Sequence, residues 1–207
     1  MRRIREVSGT RRSWPRFRGT AWAVACLVLL GACAGGDDDD DRGALVTFTS
    51  PVYGYSISHL PSWTVVEARR ALGDGEPPAT SSGATDILGR DASDRVSTMR
   101  LPGVIIAAQP VADDVGIAEW TTSMMDTVSS MKQCDPPRRR EDIEIGGASG
   151  TLLTYPNCPP NVGYLHLWAG VVHDGLGYHI VWFDEPGHEG DDRAAFEQML
   201  SSFSFGE

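Results

Sequence analysis

Two apolar-rich runs, Gly163 to His173 and Leu176 to Asp184, are separated by only Asp174-Gly175. An Asp-Gly pair in that position is a strong short-range signal for a two-residue β-hairpin, because both turn residues must adopt positive φ. The chain is thereby committed to an antiparallel sheet. Gly146-Gly147 makes a second such turn between Glu141–Ile145 and Gly150–Tyr155. Upstream, Val46 and Phe48 face one way in a first short strand, and Tyr55 and Ile57 do so in a second. Pro61 then breaks the second strand, and a third runs from Trp63 to Ala68. Gly103 to Pro110 (GVIIAAQP) is a continuous apolar run and reads as a central strand. Arg69 to Ser93, rich in Gly, Pro, Ser, Ala and Asp, reads as a long surface excursion with at most one short strand.

Two segments change period. In Val115 to Gln133, the residues Ile117, Trp120, Met124, Val128 and Met131 fall on one helical stripe. A last helix starts near Asp191 and Asp192, whose carboxylates suit an N-terminus, and buries Phe196, Met199, Leu200 and Phe203. Two helices with six or more mostly antiparallel strands predict an α+β fold, an antiparallel β-sheet flanked by helices. Residues 44–207 are expected to form a single domain.

The first residues carry different information. Seven arginines lie within the first 18 residues and precede Ala21 to Leu30 (AWAVACLVLL), a ten-residue apolar run. As a helix that run is about 15 Å long, half of the roughly 30 Å hydrocarbon core, which suits the h-region of a signal peptide rather than a membrane span. It ends in Leu30-Gly31-Ala32-Cys33. This resembles the lipobox of bacterial lipoproteins, which implies a signal peptide over 1–32, cleavage before Cys33 and lipidation of its thiol. Thr10-Arg11-Arg12-Ser13-Trp14 echoes a twin-arginine signal, although Pro15 and Arg16 replace its apolar positions. Residues 33–43 hold Asp37 to Asp41 between glycines. Five adjacent carboxylates lack the alternate spacing of a calcium loop and extend by mutual repulsion, so the segment reads as a tether. From Gly43 onward ten basic residues face 22 acidic ones, a net charge of −12. That acidity argues against nucleic acid as a partner.

With Cys26 in the signal segment and Cys33 lipidated, Cys134 and Cys158 remain as an even pair in an exported domain, where oxidation is the default. A bridge between them closes a loop of about 25 residues and is expected to stabilise by roughly 3–4 kcal/mol. Catalytic templates fail one by one. Ser129-Ser130-Met131-Lys132 spells Ser-x-x-Lys, but Lys132 is the only lysine, so the companion Lys-Thr-Gly strand is missing. Gly147-Ala148-Ser149-Gly150-Thr151 breaks the nucleophile-elbow pattern at its last position and lies in a hairpin. In the Asp174-Gly175 register, Gly170 pairs with His179 and His166 with Phe183. His166 and His179 are then on the order of 13 Å apart, too far for one ion. His173 with Asp174, and His188 with Glu189, Asp191 and Asp192, read as solvated turn residues. Arg138-Arg139-Arg140, the one basic cluster of the domain, could meet a phosphate or an acidic partner but reads as a solvated loop beside Glu141 and Asp142. No catalytic residue, metal ligand or cofactor is assigned.

The order of several blocks resembles PsbP-like and DcrB-like domains: FTSPVYGYSISHLPSWTVVEA (Phe48 to Ala68), GIAEW (Gly116 to Trp120), GYHIVWF (Gly177 to Phe183) and FEQMLSSFSF (Phe196 to Phe205). The resemblance implies an α/β/α sandwich and no shared catalytic residues. Together these readings predict an extracytoplasmic, membrane-anchored lipoprotein held at the cell membrane through Cys33. Its role is a non-enzymatic accessory or binding module with a protein partner in the envelope. The alternatives are a small-ligand carrier with Trp63, Trp120, Trp168 and Trp182 lining one pocket, and an unrecognised hydrolase.

Overall fold

A computed structural model of the 207-residue chain describes residues 44–73, 83–92, 101–130, 134–156, 165–184 and 189–206. The elements run β1 (Val46–Thr49), β2 (Ser56–His59), β3 (Thr64–Val66), β4 (Asp86–Gly89), β5 (Gly103–Pro110), α1 (Ile117–Ser130), β6 (Arg139–Ile145), β7 (Ala148–Thr154), β8 (Leu165–His173), β9 (Leu176–Phe183) and α2 (Glu189–Ser201). Seven strands form one antiparallel sheet in the order β3-β4-β5-β9-β8-β7-β6, and β1 and β2 form a separate two-stranded ribbon.

The two turns read from the sequence set this topology. Asp174 and Gly175 have φ of 47° and 72°, and Gly146 and Gly147 have 58° and 82°. Positive φ at both central residues gives the turn a twist that matches the flanking strands. His173 therefore faces Leu176, and Ile145 faces Ala148.

Alternation along each strand sends side chains to two separate cores. On one face Leu88, Ile106, Leu152, Leu167, Ile180 and Trp182 pack under α2 and the β1–β2 ribbon. On the other, Ile105, Leu153, Trp168, Val181 and Phe183 pack against the apolar stripe of α1, including Ile117, Trp120, Met124 and Val128. The α+β class with helices on both faces of an antiparallel sheet is thus observed. The C-terminal residues close the ribbon layer: Ser204 pairs with Ser56, and the rings of Phe205 and His173 stack at 3.8 Å.

Several boundaries differ from the sequence expectation. The third strand spans only Thr64–Val66, because the Ala68 N–H turns out of the ladder to donate to the Asp86 carboxylate at 2.7 Å. Within the Arg69 to Ser93 excursion, β4 is an interior strand with all four residues buried, not a surface piece. Phe48 is buried, but Val46 at the open end of the ribbon stays 46% exposed. Helix α1 is assigned over Ile117–Ser130, and Met131 to Gln133 lie outside the described residues. Phe203 is buried beyond the end of α2 rather than on it. The β8–β9 register holds at Gly170 and His179, then slips: Leu165, not His166, pairs with Phe183 across an irregularity between Leu165 and Leu167.

Candidate functional site

Tryptophans carry the largest apolar surfaces of the domain, so their placement decides whether a ligand cavity exists. The four do not converge. Alternation on β9 sends Trp182 toward α2, where it meets Trp63 at 5.6 Å between centroids. On β8, Trp168 points the opposite way and meets Trp120 of α1 at 5.5 Å. The sheet lies between the two pairs, so a single pocket lined by all four is not the arrangement.

The Trp63–Trp182 pair borders a cleft with Leu45, Leu60, Ala195, Gln198 and Met199. Its interior is about 20 Å³, room for about one water molecule. The wall is almost wholly apolar, and neither indole N–H finds a hydrogen-bond acceptor among the described residues.

Beneath α1 the second pair encloses His179. Trp120 lies 4.8 Å from its ring and Trp168 5.9 Å. The Trp168 indole N–H donates to His179 Nδ1 at 3.3 Å, which places the imidazole proton on Nε2. That nitrogen is buried without a partner among the described residues. Burial alone drives the His179 pKa down to about 3, so the ring is neutral at physiological pH. Its ring contacts are the two indoles, and among the described residues no charged group shifts its titration.

Trp120 reaches His179 because Gly177 leaves room: a Cβ at Gly177 would lie 2.4 Å from the indole. Gly177→Ala should therefore push Trp120 and α1 outward and destabilise the domain by about 1–3 kcal/mol, as overpacking does. Urea unfolding, with the tryptophan emission of the native state as a second readout, checks this. An unchanged midpoint would contradict the contact.

A third cluster joins the ribbon to the sheet. The Asp86 carboxylate, 0% exposed, accepts from Tyr55 Oη at 2.7 Å and from the Ala68 N–H at 2.7 Å. Burial first, then the adjacent Asp86 charge, holds the Tyr55 phenol well above its usual range. Tyr53 donates to the Ala84 carbonyl and accepts from the Leu72 N–H at 3.0 Å, and burial pushes its pKa to about 12. Both hydroxyls are occupied as structural donors. The sequence placed Tyr55 with Ile57 on one face of a strand, but nothing local marked Asp86 as its partner, because 31 residues separate them.

The remaining sequence candidates are dispersed. Cys33 and Cys158 lie outside the described residues, as does His188. Cys134 is half-buried beside the core under α1. His173 sits at its turn, 3.4 Å from Asp174, but is only partly solvated because its ring stacks on Phe205. Arg138, Arg139 and Arg140 are exposed at the start of the edge strand β6, and Arg139 pairs with Glu141 at 2.7 Å. Glu141 is also 2.8 Å from Arg193 of α2, which reaches Glu197 at 2.8 Å. Among the described residues no three His, Cys, Asp or Glu gather where a metal ion could be held, and no helix is long and apolar enough to cross a membrane.

Among solved structures, the chain is similar to the solution structure of cyanobacterial PsbP (CyanoP) from Synechocystis sp. PCC 6803. The TM-score is 0.54 at 16% identity, over 85% of this chain and 98% of that one. The fold is therefore PsbP-like. No protein-family model matches the sequence, and no curated protein matches it.

Proposed function

We propose that the chain is an extracytoplasmic lipoprotein, tethered at the cell membrane through Cys33, whose PsbP-like domain is a non-enzymatic accessory or protein-binding module of the cell envelope. The observation that carries this reading is Leu30-Gly31-Ala32-Cys33 at the end of a ten-residue apolar run with seven arginines before it. The acidic run Asp37 to Asp41 then separates the anchor from the first core contacts at Leu45 and Phe48. Its charge repels an anionic membrane surface and so holds the domain away from it. The order of sequence blocks extends the likeness to DcrB-like domains.

The interior supports a binding rather than a catalytic role. Buried Tyr53, Tyr55 and Asp86 are consumed in holding the ribbon to the sheet, and His179 is neutral between two indoles. The split of the tryptophans into two pairs removes the arrangement on which a carrier role rested. A Cys134–Cys158 bridge belongs to the same proposal, as expected for an exported domain. It is supported by Cys134 being disulfide-bonded.

The test is expression in a bacterial host that processes lipoproteins. The wild-type chain should partition into the detergent phase and carry a diacylglyceryl mass on Cys33. Cys33→Ser should abolish both. Equal partitioning of the two proteins, with an unmodified Cys33, would refute the anchor. Non-reducing peptide mapping should recover Cys134 and Cys158 in one linked fragment.

A further inference from the structure

We propose that β6 pairs with β6 of a second copy of the chain, joining two seven-stranded sheets edge to edge about a two-fold axis at Glu141. β6 is the terminal strand of the sheet, and its outer edge has no strand partner among the described residues. Edge strands commonly carry charge that discourages pairing. Here the charges run Arg138-Arg139-Arg140-Glu141-Asp142-Ile143-Glu144, basic then acidic, which is self-complementary when the strand meets itself antiparallel.

A two-fold axis normal to the sheet keeps its two faces distinct, so opposed residues must come from the same alternating set. Arg140, Asp142 and Glu144 are exposed and form no ion pair among the described residues. They share the face opposite Ile143 and Ile145. With the axis at Glu141, Arg140 of each copy faces Asp142 of the other. Moving the axis to Asp142 sets Asp142 against itself, and moving it to Arg140 sets Arg140 against itself. On the other face Glu141 meets its own copy, but each Glu141 is already neutralised by Arg139 at 2.7 Å and Arg193 at 2.8 Å.

The backbone agrees. The two-residue Gly146-Gly147 turn makes Ile145 and Ala148 a hydrogen-bonded pair, and such pairs alternate along the hairpin. The outward N–H and C=O groups therefore belong to Arg140, Asp142 and Glu144. In the Glu141-centred register Arg140 and Asp142 form the hydrogen-bonded pairs, both ways. Attachment to one membrane raises the effective concentration of the two copies.

The test uses the full-length chain in detergent micelles. Glu141→Cys places one cysteine against its copy at a non-hydrogen-bonded site, Cα atoms about 4.5 Å apart, within disulfide reach. Mild oxidation should give a covalent dimer from Glu141→Cys and not from Ser149→Cys, which lies on β7. Sedimentation should show a reversible dimer that Arg140→Glu weakens by at least about tenfold, since two attractive pairs become repulsive. Arg140→Glu/Asp142→Arg should restore it. A wild-type chain that stays monomeric at the highest concentration reached, or a double variant no tighter than Arg140→Glu alone, would overturn the pairing.

Discussion

Lowering the pH from 7 to 5 should cost the domain about 2 kcal/mol of unfolding free energy, rising to about 4 kcal/mol by pH 3, through His179 alone. The unfolded chain binds a proton at this imidazole with the ordinary pKa of 6.5, whereas the folded chain does so only near 3. The unfolded state therefore takes up more protons throughout that interval. The contribution is fully present above 6.5 and is lost progressively as the pH falls toward 3. The cause is burial: His179 is 2% exposed, flanked by Trp120 and Trp168, with no charged group among the described residues to stabilise an imidazolium. Between pH 7 and 5 most carboxylates remain ionised, so the slope in that window isolates histidine. Urea midpoints measured at intervals of pH should give it, and His179→Gln should flatten it by about 2 kcal/mol over the window. A variant with the same slope as the wild type would show that His179 does not carry the effect.

What the sequence disclosed depended on how local each determinant was. The two Gly-containing turns, the GVIIAAQP strand and the α1 stripe each occupy one contiguous stretch whose period or turn chemistry has a single structural solution. Their placement in the sheet followed. β4 was harder because four residues flanked by Ser, Gly and Asp carry no readable period, and its interior position comes from pairing with Gly103–Ile106. The β8–β9 slip at Leu165 reflects an inserted residue that no turn signal announces. The tryptophan pairs illustrate the same division. Alternation alone puts Trp168 and Trp182 on opposite faces once their strands are paired in the observed register. The alternative of a common pocket took their shared aromatic character over that geometry. For the proposed anchor, the informative residues lie in the first 33, where linear motifs speak directly.

Replacing Asp86 with Ala should destabilise the domain by about 3–5 kcal/mol, a large share of the 5–15 kcal/mol that such domains possess. Two donors converge on the carboxylate from different layers: Tyr55 ends the turn that joins β1 to β2 in the ribbon, and Ala68 follows β3. Removing the acceptor leaves both donors buried and unpaired, which costs more than the pair contributed when made. Tyr55→Phe removes one donor while the Ala68 N–H still serves the carboxylate, so its cost should be smaller, about 1–3 kcal/mol. Asp86→Asn keeps an accepting oxygen of the same shape and should fall between the two. The order Asp86→Ala, Asp86→Asn, Tyr55→Phe separates this account from a cavity effect, because the aspartate-to-asparagine change removes almost no volume. Guanidinium unfolding with an unchanged m-value reads all three. Asp86→Ala within 1 kcal/mol of wild type would mean that the ribbon is held by its apolar contacts, Tyr55 and Phe203 stacked at 5.1 Å among them, rather than by the buried carboxylate.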